Sequence, residues 1–512
     1  LASGGQPMAS RGGELRIVFN GEIFNYVELR AELVRKGRRF ATGSDTEVIL
    51  QMYEEEGEDC VTRFNGDWAF AIWDARRRRL LLSRDRAGVR PLFYASTPRG
   101  ALGFASEVKA VLCHPELERS IDAEALDQVF TFWCTLPSKT LFAGVHELPP
   151  GHNMVVEDGR TCVWPYWQIE FDDSGRRADE REAAADLLEV LTDATRLRLR
   201  SDVPVGAYLS GGLDSSVTTA LVNRISGEGL RSFSVTFDDP EFDESVWQNE
   251  VVARLGTDHQ AIRCTHDDIV RVLPDVIRHA EKPLLRTAPA PLFLLSQLVR
   301  DAGYKVVLTG EGADEFLGGY DIFKEAHIRR FWARQPGSTC RPLLLKRLYP
   351  YMKDLQAQPE AWRRRFFRVD AADLDSPLFS HLPRWELTRW SKLFFSEGLK
   401  QRLATHDAYR EARELLPRAY AGWDPLSQAQ YLEATVLLPG YILSSQGDRM
   451  AMAHSVEGRF PFLDHRVIEF ASRLPPRLRM KTLNEKYLLK RAAGHLVPES
   501  VSKRPKQPYR AP

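Results

Sequence analysis

The chain has 512 residues, more than one hydrophobic core usually serves, so its length predicts at least two domains. Its 43% hydrophobic and 27% charged residues are typical of a globular protein, and no apolar run is long enough to cross a bilayer. Lys plus Arg and Asp plus Glu both number 70, so a formal charge of zero gives no field that would draw the chain to nucleic acid or a membrane surface.

The six cysteines are scattered along the chain without the paired spacing of a zinc cluster or a disulfide framework. They are therefore expected to be the free thiols of a reducing compartment. The first residues do not have the pattern of a signal peptide. The sequence thus predicts a cytoplasmic protein.

The first third of the chain, up to Trp167, contains short apolar runs separated by Gly, Pro and Asp. This pattern predicts a largely antiparallel, layered sheet, with helices over residues 26–37 and 45–57. The predicted strands cover residues 15–21, 67–74, 79–85, 91–96, 101–106 and 152–158. Residues 1–167 are therefore predicted to form one sheet-rich domain.

Residues 168–180 are polar and predict a linker, after which the pattern changes. An amphipathic helix is predicted from about Ala184, with Asp179 and Glu182 placed as a capping pair. Strands at residues 205–210, 231–237, 259–264 and 304–310 then alternate with helices. Such alternation predicts a parallel, doubly wound sheet in a second domain, residues 181–512, which is mostly helical beyond Tyr320.

A short motif near the start of the chain, VFNGEIFN at residues 18–25, combines groups that suit an oxyanion. A turn of Asn20, Gly21 and Glu22 at a strand end can direct an amide, a backbone N–H and a carboxylate into one pocket. Such a pocket needs a nucleophile, yet the residues before the motif contain no cysteine.

The most specific stretch is SGGLDSS at residues 210–216, between a predicted strand and a predicted helix. Its small residues let backbone N–H groups approach an anion, and the helix N-terminus adds partial positive charge. The stretch predicts a pyrophosphate loop, with a plain glycine turn as the alternative. It is not a Walker A loop, because the Gly-Lys-Ser/Thr ending does not occur.

A second loop, TGEGADE at residues 309–315, follows the last predicted strand of the same sheet. Ligands in open α/β sheets bind outside the carboxyl ends of strands, so both loops are expected to face one crevice. Asp214 and Asp314 are then candidates to hold Mg²⁺ on the phosphates, which leaves Glu311 for the substrate. Solvated acidic residues are the alternative for this loop taken alone.

These motifs together resemble a known family. The stretch LSGGLDSS resembles the ATP-pyrophosphatase loop of the N-type synthetases. A fuller set is similar to the glutamine-hydrolysing asparagine synthetase family: VFNGEIFN, GSDTE, SRDRAGVRPLFY, FASEVKAV, LTGEGADEFLGGY, VEGRFPFLDH and NEKYLLK. The resemblance implies an α/β protein with an incomplete αββα glutaminase domain of the N-terminal nucleophile type and an ATP-pyrophosphatase domain with a helical C-terminal part.

The resemblance also implies roles for individual residues. Asn20 and Gly21 match oxyanion donors, and the glutamine-binding set is Asn20, Gly21, Glu22 and Asp45. The ATP-binding set is Leu209, Ser210, Gly211, Gly212, Asp214, Ser215, Val235, Thr309, Gly310 and Lys486. Glu311 matches a catalytic glutamate tied to the acyl-adenylate, and Asp314 and Lys486 match the Mg²⁺ and phosphate contacts. Without the resemblance, Lys486 on a predicted helix would be expected to be solvated.

The resemblance implies ATP-dependent amidation of aspartate to asparagine through β-aspartyl-AMP. It also implies that Mg²⁺ takes part and that the enzyme forms a homodimer. The family takes nitrogen from glutamine, using an N-terminal cysteine whose α-amino group is the base. Neither that cysteine nor the RHRGPD-like stretch of the family occurs here, and the first residue is Leu1. We therefore expect that the chain starts inside the family's first domain and uses ammonia instead.

Three alternatives remain open. One is an amidotransferase acting on another carboxylate, because EKPLLRTAPAPLFLL at residues 281–295 departs from the pattern of a housekeeping enzyme. Another is a cyclising enzyme similar to β-lactam synthetase, although such an enzyme has no need of a glutamine pocket. The third is a nucleotide-binding regulatory relative, in which decay of the second-domain loops would be expected.

Overall fold

A computed structural model describes residues 4–172, 179–227, 229–370 and 373–512. The predicted linker at residues 168–180 therefore lies partly outside the described residues. The chain forms two compact units. The first comprises Leu1–Leu126 and Thr135–Gln168, and the second comprises Asp127–Cys134 and Ile169–Pro512.

The first unit contains two antiparallel sheets. Its strands are β1 (Met8–Ala9), β2 (Leu15–Ile23), β3 (Gly66–Asp74), β4 (Arg79–Arg84), β5 (Phe93–Ser96), β6 (Leu102–Ala105), β7 (His146–Glu147), β8 (His152–Glu157) and β9 (Arg160–Pro165). The order β1-β2-β3-β4-β8-β9 forms the larger sheet, and β6-β5-β7 forms the smaller one.

A helix of the first unit, Asp45–Glu56, begins at a side-chain cap. The helices of this unit are α1 (Tyr26–Arg35), α2 (Asp45–Glu56) and α3 (Val108–Val111), and α4 (Ala123–Phe132) contains the boundary between the units. The Ser44 hydroxyl accepts the backbone N–H of Thr46 at the start of α2, and Asp45 and Glu47 place negative charge in its first turn.

The strand β3 explains why this unit is layered. Trp68, Phe70 and Ile72 belong to the core that includes α1 and α2. Ala69 and Ala71, which alternate with them, belong to a core shared with the smaller sheet. Because successive side chains of a strand point to opposite faces, the larger sheet is buried on both sides.

The second unit is built on a parallel sheet. Its strands are β10 (Val205–Tyr208), β11 (Arg231–Phe237), β12 (Asp258–Cys264), β13 (Val306–Leu308) and β14 (Glu457–Arg459). They lie in the order β12-β11-β10-β13-β14, and every neighbouring pair is parallel. The chain runs from β10 out to β12 and returns to the other side of β10 at β13, so the switch point of the sheet lies between β10 and β13.

Helices cover the parallel sheet and make up most of the remaining chain. They are α5 (Glu180–Arg198), α6 (Leu213–Ser226), α7 (Ser245–Leu255), α8 (His266–Ala280), α9 (Pro289–Asp301), α10 (Ala313–Leu317), α11 (Asp321–Ala333), α12 (Lys353–Ala357), α13 (Glu360–Phe366), α14 (Leu382–Arg389), α15 (Glu397–Arg402), α16 (Ala408–Glu414), α17 (Pro425–Leu432), α18 (Arg449–Met452), α19 (His465–Ser472), α20 (Pro476–Arg479), α21 (Tyr487–Ala493) and α22 (Glu499–Lys503). A π-helix, Glu433–Asp448, joins α17 to α18.

One buried ion pair fixes α5 to the start of α19. The Arg198 Nη1 lies 2.9 Å from Asp464 Oδ2, and both side chains are almost fully buried. Asp464 also accepts the backbone N–H of Arg466 and so caps α19. Burial opposes the charged form of Asp464, but Arg198 and Arg466 offset this and hold its pKa well below the usual value.

The predicted α/β class is confirmed, with an antiparallel first unit and a parallel second unit. Two local predictions were wrong. Asn20, Gly21 and Glu22 do not form a turn, because the pairing of β2 with β3 continues through them to Ile23. Lys486 is not inside a helix: it directly precedes α21 with φ of 50°, since its side chain turns into a buried acidic pair.

The six cysteines are free, as the sequence predicts. Among the described residues, no helix is long and apolar enough to cross a membrane.

Candidate active site

The four predicted glutamine-binding residues come together at one edge of the first unit. Asn20, Gly21 and Glu22 lie in succession on β2, and the next residue, Ile23, donates its backbone N–H to Asp45 Oδ2 at 3.0 Å. Asn20 Nδ2 lies 3.4 Å from the Ser106 hydroxyl. Burial raises the pKa of Asp45. This edge therefore combines an amide, a backbone N–H and two carboxylates.

Gly21 has a conformation that a side chain would not tolerate. Its φ is 142°, and a Cβ at this position would lie 2.0 Å from the backbone oxygen of Asp67 on β3. The N–H groups of Phe19 and Ile23 bond to the side chains of Gln6 and Asp45, not to β3. N–H groups of alternate residues point to the same edge of a strand, so the N–H of Gly21, like those of Phe19 and Ile23, points away from β3.

The loop after β10 is held by its own hydroxyls. Ser210 N–H donates to Ser215 Oγ at 3.1 Å, and the two serine hydroxyls lie 2.9 Å apart. Gly212 precedes α6, and no side chain caps that helix. The first-turn N–H groups of α6 therefore face the loop without a side-chain acceptor, as an anion-binding N-terminus requires.

The loop after β13 lies beside this loop. A Cβ on Gly310 would be 2.8 Å from Ser215 N and 2.9 Å from Asp214 Cβ, so the two loops are in close contact. Glu311 follows; it is partly exposed, but its Oε2 is buried and has no hydrogen-bond partner among the described residues. Burial raises the pKa of Glu311 to about 7.

Two aspartates and two lysines meet where these loops meet, and we call them the lysine–aspartate cluster: Asp214, Asp314, Lys486 and Lys506. Lys486 Nζ contacts Asp214 Oδ2 and lies 2.6 Å from Asp314 Oδ1. Lys506 Nζ lies 2.6 Å from Asp314 Oδ2 and 3.5 Å from Asp214 Oδ2. Burial opposes ionisation of Asp314, but the two lysines prevail and lower its pKa.

Gly319 allows the cluster to close. A Cβ on Gly319 would lie 1.9 Å from Asp314 Oδ1 and 2.2 Å from Lys486 Cε. Real contacts are never that short, so any larger residue would displace one of the two groups.

The predicted nucleotide-lining residues lie at the carboxyl ends of the strands. Leu209 donates its N–H to the Phe233 carbonyl, and Val235 on β11 accepts from the Gln248 side chain. Thr309 is buried, and its hydroxyl has no hydrogen-bond partner in the part of the chain that the structure describes. An unpartnered buried hydroxyl is available to a ligand, because leaving it unsatisfied costs about 1–3 kcal/mol.

The donor set of the cluster fits Mg²⁺. Asp214 and Asp314 supply carboxylate oxygens side by side, and the Oδ1 of Asp214 is buried with no hydrogen-bond partner from the described residues. Mg²⁺ is typically held by one or two carboxylates together with phosphate oxygens.

Sequence reasoning did not find three residues of this site. Lys506 lies in the basic stretch KRPKQPYR, which has no period or glycine pattern to mark it. Glu315, which is buried, and Tyr320, which is partly buried, form a pair beside the cluster, with the Tyr320 hydroxyl 2.8 Å from Glu315 Oε1. Burial raises the pKa of Glu315 to about 8. The motif ADEFLGGY contained both residues, but only their contact shows that they act as a pair.

The fold defines a class of protein: a parallel-sheet α/β unit carried on one chain with an antiparallel-sheet unit. The asparagine synthase family model matches residues 186–512, and a glutamine amidotransferase domain model matches residues 1–167. The chain belongs to the asparagine synthase family. It is therefore a ligase that uses ATP as co-substrate.

Proteins named as asparagine synthetases and proteins named as amidases are both similar in sequence to this chain. Asparagine synthetase (glutamine-hydrolyzing) 1 of Bacillus subtilis is 32% identical over 517 residues, covering 100% of this chain and 78% of the relative. Amidase chry2 of Gibberella zeae is 30% identical over 543 residues, with 100% and 79% covered. Amidase chyE of Penicillium rubens is 29% identical over 543 residues, also with 100% and 79% covered.

Proposed function

We propose that the second unit activates a carboxylate by transferring AMP to it from ATP, and that ammonia then converts the adenylate to an amide. The observation that carries this proposal is the lysine–aspartate cluster beside the uncapped start of α6, at the switch point of the parallel sheet. The phosphates of ATP bound at this position would contact the N–H groups at the start of α6, the lysines of the cluster and the two aspartates proposed to hold a metal.

Each part of the site has a task in this proposal. Leu209, Val235, Thr309 and Gly310 line the nucleotide, and the loop from Ser210 to Ser215 holds the pyrophosphate. Mg²⁺, held by Asp214 and Asp314, supplies positive charge to the phosphate oxygens. Lys486 stabilises the charge that builds on the bridging oxygen as it leaves.

The proposed chemistry has two steps. An oxygen of the acceptor carboxylate attacks the α-phosphorus of ATP, the bond to the bridging oxygen breaks, and pyrophosphate leaves. Ammonia then attacks the acyl carbon, the carbon–oxygen bond to AMP breaks, and the nitrogen loses a proton. Glu311 is proposed to receive that proton, because burial raises its pKa to about 7 and so leaves part of it as a carboxylate near neutral pH.

Arg286 is the proposed anchor of the acceptor. Its guanidinium carbon lies 5.0 Å from the centre of the Trp133 ring, and no carboxylate pairs with it in the described part of the chain. Burial raises the pKa of Tyr351, and the charges of Lys506 and Arg286 both act to lower it, so both cations lie within electrostatic reach of one side chain. A second carboxylate on the acceptor, as in aspartate, would find its partner there.

A second acceptor class competes with aspartate. Two of the relatives carry the name amidase, and residues 281–287 are all partly exposed, which supports an acceptor larger than aspartate. A cyclising reaction of the β-lactam synthetase type is less well supported, because it has no need of a glutamine pocket, and the residues proposed to form one, Asn20, Gly21, Glu22 and Asp45, lie at one edge of the first unit. The homodimer stays a prediction.

Nitrogen is proposed to come from glutamine where an N-terminal cysteine is present and from ammonia for this 512-residue chain. None of the six cysteines carries a free α-amino group, since all are internal. Cys60, the one closest in sequence to the glutamine edge, is buried, and burial raises the pKa of its thiol well above the usual value. Loss of a nucleophile lowers hydrolase rates by the order of 10⁶.

The test is to identify the nucleotide products. With ATP, Mg²⁺, ammonium and a panel of carboxylates that includes aspartate, the chain is expected to release pyrophosphate and AMP in equal amounts. Asp214→Asn is expected to lower that rate by about 10²- to 10³-fold, whereas Asp202→Asn, at an exposed position, is the matched control and is expected to leave it unchanged. Release of ADP and phosphate would refute adenylation.

A further inference from the structure

Tyr208 is the last residue of β10, at the edge of the parallel sheet where the loops of the site begin. In the pairing of β10 with β13, Ala207 is opposite Leu308, so Tyr208 lies beside the start of the loop that carries Glu311. The side chain of Tyr208 packs against a core built partly from α9 and α18. Tyr208 therefore borders the proposed reacting site without belonging to the phosphate loop.

Tyr208 and Glu311 each hold a buried polar atom that the described chain leaves unsatisfied. The Tyr208 hydroxyl and the Glu311 Oε2 are both buried, and neither has a hydrogen-bond partner among the described residues. Burial and, to a lesser degree, the charge of Glu311 raise the pKa of Tyr208, so the two side chains are within electrostatic reach of each other. Because they are not bonded to one another, both remain available to a group of the bound substrate.

We propose that Tyr208 is a further catalytic residue, whose hydroxyl donates a hydrogen bond to the acyl oxygen of the adenylate while ammonia attacks. This inference rests on the adenylation proposed above. As the carbon–nitrogen bond forms, an electron pair of the carbonyl bond moves to the acyl oxygen and makes it negative. The pair returns when the carbon–oxygen bond to AMP breaks, and AMP leaves with the electrons of that bond. Glu311 takes the proton from nitrogen, and Tyr208 keeps its own proton throughout.

The two steps of the reaction place negative charge on different atoms. In adenylation the charge builds on pyrophosphate, which the phosphate loop and the lysine–aspartate cluster receive. In the attack by ammonia it builds on the acyl oxygen, close to the base Glu311. A cation at that point would pair with Glu311 and lower its pKa, whereas a neutral hydroxyl stabilises the acyl oxygen and leaves Glu311 basic. The hydroxyl of Tyr208 should therefore matter in the second step and not in the first.

The test measures the two steps separately, in single turnovers of the full chain. Pyrophosphate formed from ATP, Mg²⁺ and an acceptor without ammonium reports the first step, and amide formed with ammonium reports the second. The acceptor is aspartate or another carboxylate of the panel that supports pyrophosphate formation. Tyr208→Phe is expected to slow amide formation by about 10²- to 10³-fold, as loss of one oxyanion donor does, and to leave pyrophosphate formation within about three-fold.

Tyr304→Phe is the matched control. Tyr304 packs against the same core as Tyr208, but it precedes β13 and so lies at the opposite edge of the sheet. Loss of its hydroxyl is expected to leave both rates unchanged. Equal losses in the two steps for Tyr208→Phe, or no loss in either step, would overturn the role of Tyr208. If the unmodified chain forms no pyrophosphate with any acceptor, the proposed function fails, and this inference fails with it.

A stability measurement distinguishes this role from a structural one. Because the Tyr208 hydroxyl has no hydrogen-bond partner in the described chain, its removal breaks no bond and leaves no partner group unsatisfied. Tyr208→Phe is therefore expected to unfold thermally at or above the midpoint temperature of the unmodified chain. A lower midpoint would show that the hydroxyl is already bonded in the free protein, which would contradict its availability to the substrate.

Discussion

Gly319 offers the sharpest perturbation of the cluster. In Gly319→Ala the new methyl group would lie 1.9 Å from Asp314 Oδ1 and 2.2 Å from Lys486 Cε, against an ordinary limit of 3.4 Å or more. Only side-chain atoms, not backbone atoms, have to move to relieve these contacts. The free energy of unfolding is therefore expected to fall by only about 1–3 kcal/mol. The contact of Lys486 with Asp314, which is 2.6 Å, must open to make room.

The expected consequence is a loss of activity much larger than the loss of stability. Misplacing one charged group at a developing negative charge lowers rates by about 10²- to 10³-fold. The assay is pyrophosphate release at saturating ATP, with urea unfolding as the measure of stability. Gly337→Ala is the matched control, because Gly337 is exposed and a Cβ there meets no atom within 4 Å. Full activity in Gly319→Ala would refute the assembled cluster as the reacting site.

Three further predictions concern stability. Gly21→Ala places a methyl group 2.0 Å from a backbone oxygen and is expected to destabilise the first unit by about 3 kcal/mol or more, while Gly103→Ala, whose nearest atom is 4.0 Å away, is expected to be tolerated in thermal unfolding. Because burial raises the pKa of Glu315 to about 8, the folded state keeps a proton that the unfolded state loses above pH 4.5. The free energy of unfolding should therefore fall by about 1.4 kcal/mol per pH unit between pH 4.5 and pH 8. The variant Glu315→Gln should remove this slope in urea titrations. Asp464→Asn takes away the buried carboxylate 2.9 Å from Arg198 and should cost about 3–5 kcal/mol at pH 7. The deficit should shrink below about pH 4, because protonation of this carboxylate in the unfolded state then reduces the stability that the unmodified chain gains from its lowered pKa.

Hydrophobic periodicity and turn-forming residues in the sequence predict the fold well. The alternation around Phe70 and the switch from strand to helix at Leu213 are local signals, and both elements form where the sequence places them. The parallel sheet followed from strands alternating with helices, because that connection forces crossovers. The loop predicted to bind pyrophosphate forms where the sequence places it, because a strand, small residues and a helix start lie within about ten residues.

The remaining features depend on contacts between distant segments. Lys506 lies 192 residues from Asp314 along the chain (506 minus 314), and nothing local distinguishes it from a solvated lysine such as Lys503. Lys486 was expected within a helix because its neighbours favour one, yet its left-handed backbone is fixed by the acid pair. The Asn20–Glu22 segment was expected to turn because Asn-Gly favours turns, but pairing with β3 keeps it extended.

The central claim, that the second unit adenylates a carboxylate, is tested most directly by following the carboxylate oxygen. The chain is supplied with ATP, Mg²⁺, ammonium and an acceptor whose carboxylate is labelled with ¹⁸O. Attack of that oxygen on the α-phosphorus followed by cleavage of the acyl carbon–oxygen bond predicts one ¹⁸O in the phosphate group of AMP and none in pyrophosphate. Label in inorganic phosphate, accompanied by ADP, would contradict the account.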